Sequence, residues 1–281
     1  MFKTITFCLV LFTVSFGYSF QKASKKNTLL TKKLKGKVKS VTTTTYSVTQ
    51  VKGEIRKKSQ TGLIAYEAFN SIGNIINERK TKPNGTIFQR QQYTYDQQDN
   101  NVEVRTISNG KVSKKTIYKY DRYSNKTAEY GYDKHNNLTH KILYSYSSQH
   151  KLKEMRVFKG NDNAWSYKHR FTFNSKNKLI GRHILDHSGR SQQWIHEYNE
   201  AEKSSKITIL NQDQAMVSKS SFRFDDRENE IERTELNGAN EVKRIIQTKY
   251  KYDKQGNWIK KTIFENQIPT SILERKIEYF D

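Results

Sequence analysis

His183, Asp186, His187, His196 and Glu197 fall within fifteen residues of one another. Imidazole and carboxylate are ligands that zinc takes, and an i, i+4 pair such as His183 and His187 shares one face of a strand or helix. The chemistry these types would support is metal-assisted hydrolysis. The surrounding residues argue against convergence. His187-Ser188-Gly189-Arg190 reads as a turn, which puts His187 at a hairpin tip, while His196 faces the region of Gly181 rather than His183. The histidines are therefore expected to be exposed turn residues, with His196 standing in for an aromatic ring. No metal site and no cofactor are expected. No Gly-rich phosphate loop, nucleophile elbow or His-Glu-x-x-His is present either.

Asp96, Asp121, Asp225 and Asp253 each follow an aromatic residue. Glycoside hydrolysis needs two carboxylates roughly 5–10 Å apart, held in different environments so that their pKa values separate. Repetition supplies the same environment many times, so these acids are expected to cap turns. A calcium ladder would need several oxygen ligands per turn, and the neighbours here are Lys, Gln and Arg. Aromatic rings offer an apolar face with a polar tip, on which a sugar can stack. The candidate binding residues are Trp165, Trp194 and Trp258, together with His196 and Tyr132, where Tyr132-Asp133 is an extra half-period copy. Cross-strand packing is the alternative role for each ring.

The elements that would position these residues follow from a repeat. An aromatic residue, followed in all but one copy by Asp or Asn, returns at residues 69, 95, 120, 146, 173, 198, 224, 252 and 280, at intervals of 25 to 28 residues. Pairs such as Tyr93/Tyr95, Tyr118/Tyr120 and Tyr250/Tyr252 place two rings on one strand face. Asp or Asn then makes a turn, Gly or Asn leaves it, and an apolar residue opens the return strand. A second turn, as at Asn84-Gly85 or Ser188-Gly189, falls half a period later. Each repeat is thus an antiparallel β-hairpin of about 26 residues, giving roughly sixteen strands. A flat sheet of that size would accumulate too much twist, so the expected fold is all-β, a coiled or spiral single sheet.

The start of the chain, with Lys3 ahead of an apolar run from Ile5 to Phe16 and small residues at Gly17 and Ser19, resembles a secretory signal peptide over 1–19. No later segment is apolar enough to span a membrane. Residues 20–35 read as a basic tether, 36–64 as an N-terminal β cap over the first sheet edge, and 65–281 as the hairpin repeat domain. Cys8 is the lone cysteine, so a chain without its signal has no disulfide or thiolate site. Hydrophobic residues make up only 34%, while aromatics reach 12%, which fits a thin sheet rather than a thick globule. The formal charge of +23 suits either solubility or attraction to surface polyanions.

Tyr-x-Tyr-Asp-x-x-Gly-Asn, intact from Tyr250 to Asn257 and degenerate elsewhere, resembles the YD repeat of Rhs-like bacterial surface and toxin proteins. That resemblance implies hairpins wound into a spiral or shell and a carbohydrate-binding role. The period here is longer, Asn replaces the frequent Arg after Gly, and no self-cleaving core or toxin follows. The function expected is an exported, non-enzymatic scaffold, periplasmic, surface-bound or secreted. Its expected partner is an anionic glycan or a cell-surface protein rather than nucleic acid. The alternatives are a hydrolase of cell-surface polymers centred on His183 to Glu197 and a toxin-associated or immunity component.

Overall fold

The computed structural model describes residues 28–199, 201 and 203–281, so the signal-like segment and Cys8 lie outside the described residues. A single helical turn, α1 (Thr28–Thr31), precedes eighteen strands. The first five are β1 (Val38–Val51), β2 (Glu54–Phe69), β3 (Ile75–Thr81), β4 (Ile87–Tyr95) and β5 (Asn101–Ser108). Next come β6 (Lys111–Tyr120), β7 (Lys126–Asp133), β8 (Leu138–Tyr146), β9 (Leu152–Lys159), β10 (Tyr167–Phe173), β11 (Leu179–Asp186) and β12 (Ser191–Tyr198). The last six are β13 (Ser204–Leu210), β14 (Met216–Phe224), β15 (Glu230–Asn237), β16 (Val242–Tyr252), β17 (Trp258–Glu265) and β18 (Ile268–Tyr279). Each strand pairs antiparallel with its predecessor in the chain, and β1 also pairs with β18 from Val38↔Tyr279 to Ser47↔Ser271.

That last pairing corrects the expected fold. The sheet is a closed eighteen-stranded barrel, neither an open coil nor the spiral implied by the YD-repeat resemblance. The expected cap over 36–64 is where the difference arises. It supplies β1 and most of β2, and β1 offers one edge to β2 and the other to β18, leaving no strand edge unpaired. Side chains fill a barrel of about eight strands, whereas 16–18 strands leave an aqueous interior. The wall here is correspondingly thin: eleven hydrophobic side chains are buried among the described residues.

The turns explain why the repeat is written as it is. Asp96 Oδ1 accepts the backbone N–H groups of Gln98 and Asn100, each at 2.9 Å, and Asn100 donates its side-chain amide to Oδ2 at 3.0 Å. Asp121 with Asn125 and Asp225 with Asn229 repeat the arrangement. The third residue after each acid sits at positive φ, as at Ser124 (61°), Glu228 (61°) and Gly256 (83°). In four copies the tyrosine before the turn then ties its hairpin to the one before. Tyr95, Tyr120, Tyr146 and Tyr198 donate to the carbonyls of Ile75, Asn101, Lys126 and Leu179 at 2.6, 2.8, 2.8 and 3.0 Å. These acids are occupied by turn N–H groups, and the rings by the neighbouring hairpin.

Residues within the expected basic tether dock onto the wall. Leu29 and Leu34 join Val38, Val41, Phe69 and Ile75 in the main apolar cluster, against Tyr93, Ile277 and Tyr279. Lys32 enters between Glu67 and Glu78, which stand directly opposite each other on β2 and β3. Lys35 and Asn257 exchange two hydrogen bonds of 2.8 Å. The segment therefore braces the barrel near its β1–β18 seam, with leucine burial of about 1.5–3 kcal/mol per side chain holding it.

Paired residues share a face and successive residues alternate, so register sorts the wall into two surfaces. Tyr93, Tyr118, Glu129, Tyr144, His169, Arg182, Trp194, His196, Tyr250, Lys261 and Arg275 belong to one. Desolvation of Tyr93, Tyr144 and Arg275 marks it as the inner surface. Lys276 and Glu278, which alternate with Arg275 and Ile277, are exposed and belong to the outer one, which also buries Ala128, Phe158 and Ile272.

Candidate functional site

The histidine group does not assemble. His183 lies on β11 opposite Arg170 and Gln193, on the outer wall, and Glu197 is outside as well. His187 sits in the β11–β12 turn, and His196 faces the interior. Asp186 is held by its own turn, its Oδ1 accepting Ser188 N–H and Arg190 N–H at 3.0 Å each while Arg190 Nε donates to Oδ2 at 2.8 Å. No cluster of three His, Cys, Asp or Glu residues able to hold a metal occurs among the described residues.

The five candidate binding residues fall in four places. Tyr132 is on the outer wall opposite Lys115, whose ammonium lies 5.0 Å from the ring centre. Trp165 stands at the rim in the connection between β9 and β10, edge-on to His187 at 6.0 Å, in a depression of ≈ 600 Å³ that Tyr167 also lines. Trp258 is inside, at the opposite end, beneath the Arg275 guanidinium at 3.5 Å from its centre. Trp194 and His196 are inside on β12 and share one site.

That site is organised by Arg182, which the sequence reading missed. On the barrel wall Arg182 stands directly opposite Phe171 of β10 and Trp194 of β12, with its guanidinium 5.9 Å and 5.3 Å from their ring centres. Its Nε and Nη2 donate to His169 Nδ1 at 3.1 and 2.7 Å. A guanidinium has no acceptor, so His169 is the neutral tautomer with its proton on Nε2. Burial, then the Arg182 charge, pushes the His169 pKa down to about 3 and that of His196 to about 4. Burial alone lowers that of Arg182, with no carboxylate opposing it. Met155, Ile184 and Ile209 are the facing cross-strand neighbours. On the inner faces of β9 to β13 the one carboxylate among the described residues is Asp186, four residues away at the rim and already held by Arg190.

Of the other inner cations, Lys261 and Arg275 likewise have no carboxylate at salt-bridge distance among the described residues, but two cations do have one. Lys126 has Glu129 at 3.8 Å, and Arg233 has Glu230 at 3.0 Å and Glu235 at 3.3 Å. Arg182 thus presents a half-buried guanidinium with free donors, two neutral imidazoles, and rings on both sides. Such a site can take an anion by charge-assisted, bidentate hydrogen bonding and can pack the apolar face of whatever carries that anion. The signal in the sequence is the inward phase of His169, Arg182, Trp194 and His196 on three successive strands, with Asp186, held by Arg190 at the rim, the one acid in the same phase among the described residues.

Comparison of the chain with protein-family profiles and with curated proteins gives no match. Among solved structures, it is similar to a porin-like protein from Bacteroides uniformis ATCC 8492, at 10% sequence identity over 86% of this chain and 96% of that one, with a TM-score of 0.45. That likeness assigns neither fold nor function, and the closure of the barrel rests on the strand pairs of this chain.

Proposed function

We propose that the chain is an exported, non-enzymatic barrel that holds an acidic sugar against its inner wall, with the sugar carboxylate on Arg182 and its apolar face toward Trp194. The observation that carries this reading is Arg182 itself, a desolvated guanidinium facing a ring-lined stretch of wall on which the one described inner acid, Asp186, is already held by Arg190. A buried cation left without a counter-charge costs stability, and a ligand carboxylate supplies the missing partner. The dispersal of His183, His187 and His196 over the outer wall, a turn and the inner wall favours binding over hydrolysis.

The outer wall is built to face water. No helix among the described residues is long and apolar enough to cross a membrane. A membrane-spanning barrel needs an apolar outer band, and a Lys or Arg at its midplane costs about 2–4 kcal/mol. Here Arg79, Arg105, Lys141, Lys219 and Lys260 occupy outward strand positions. Calorimetric titration of the protein with a galacturonate oligosaccharide and with its neutral galactose counterpart tests the reading. Binding of the acidic form, lost in Arg182→Met, is expected; equal heats for the two sugars, or for the two proteins, would refute it.

A further inference from the structure

The outer wall carries like charges directly opposite one another. Arg79 of β3 faces Arg90 of β4, and Arg105 of β5 faces Lys115 of β6. Directly opposed side chains have Cβ atoms about 4.5–5.5 Å apart, where like charges destabilise a sheet. Arg90 stands opposite Ile107, two residues from Arg105, so the four cations form one diagonal stripe over four adjacent strands. A wall selected for solubility alone would intersperse the two signs.

The neutralising partners are few. Glu103 pairs with Arg105. Arg90 donates to the neutral Asn77 at 3.1 Å and Lys115 to the neutral Asn136 at 3.1 Å, and neither of them nor Arg79 pairs with a carboxylate among the described residues. A ring closes each end of the stripe: Tyr66 stands opposite Arg79, with the guanidinium 5.0 Å from its centre, and Tyr132 stands opposite Lys115. Strands lie about 4.8 Å apart, so the stripe from Tyr66 to Tyr132 spans roughly 24 Å of surface.

We propose that this stripe is a docking surface for a linear acidic polysaccharide, independent of the inner-wall site. Its cations recur at the strand spacing, and a polymer with a charge on each sugar can meet several at once. Proteins that hold single-stranded nucleic acid use a groove with open rings on which successive bases stack. Here the surface is convex, and cations already cover both rings, which favours the polysaccharide.

The test measures binding of the full chain to immobilised polygalacturonate and to single-stranded DNA at low and high salt, with Arg90→Glu, Lys115→Glu and Lys219→Glu. Lys219 is an outward cation on β14, outside the stripe, so its variant makes the same change in net charge. Polygalacturonate binding should weaken with salt and fall about tenfold in the two stripe variants, with Lys219→Glu within about twofold of the original, as expected when specific counter-ion contacts rather than bulk charge are removed. Arg90→Glu should also raise the melting temperature, because an opposed like-charge pair becomes an opposed unlike pair. Equal loss in all three variants would reduce the effect to net charge. Tighter binding of DNA with the same dependence on Arg90 and Lys115 would make nucleic acid the partner. Either result overturns the proposal.

Discussion

Two cations on the inner wall, Lys126 and Arg182, meet opposite fates. Lys126 lies 4.0 Å from the ring centre of Tyr118 and is paired with Glu129 at 3.8 Å. Glu129 also accepts the Tyr144 hydroxyl at 3.2 Å and faces His140 Nε2 at 3.5 Å. Every charge in that group has a counterpart within the wall. Arg182 has the rings but no carboxylate, and its hydrogen-bond partner is a neutral histidine. The same hairpin frame therefore holds a closed network at Lys126 and an open one at Arg182, and the open one is where a ligand has something to add.

The largest effect should come from opening the closed network. Glu129→Ala leaves the desolvated Lys126 ammonium without its carboxylate and should cost on the order of 3 kcal/mol, read from the urea midpoint. A change within error would mean that Lys126 reaches solvent freely. Acid should act first on the Arg182 group. His169 and His196 have folded pKa values of about 3 and about 4, below the usual 6.5, so the unfolded chain takes up protons that the barrel refuses. Stability should be fully present above pH 6.5 and fall as the pH drops toward 4, and His169→Gln should flatten that fall. Glu129 is held below the usual carboxylate range by His140, Lys126 and Tyr144, despite the opposing effect of burial, so its contribution is lost only at lower pH. An acid profile flat from pH 7 to 5 would contradict the neutral histidines.

Gly256 serves as a reference outside both groups. At φ 83° a β-branched side chain is strained, and Gly256→Val should cost about 1–2 kcal/mol. The smallest change in stability belongs to Arg182→Met. Removing a desolvated charge that lacks a counter-charge should leave the midpoint unchanged or raise it by up to about 1 kcal/mol. A loss as large as that of Glu129→Ala would show that Arg182 is a structural member of the wall.

The hairpins, their turn acids and the ring pairs were legible in sequence because each depends on residues close in the chain. Asp96, Asp121 and Asp225 cap turns within four residues, and Tyr120 reaches only the adjacent hairpin. Closure was not legible. It depends on β1 meeting β18 across almost the whole chain, and Val and Thr content says that β1 is a strand without saying which edges it fills. Lys32 illustrates the same limit, since a lysine in a basic tract looks solvated until Glu67 and Glu78 are brought opposite each other. Of the candidate binding residues, Trp194 and His196 were brought together and Tyr132, Trp165 and Trp258 were not. Arg182 was overlooked because an arginine in a basic chain carries no signal until its face and the acids on that face are known.

The most direct test uses the chain's three tryptophans. With Trp165→Phe and Trp258→Phe in place, Trp194 is the sole indole reporter, and its fluorescence can be followed while a galacturonate oligosaccharide is added. A saturable change that disappears on adding Arg182→Met is the predicted result. Binding detected by calorimetry with no change at Trp194, or a change that survives the loss of Arg182, would contradict an inner-wall site built on that guanidinium.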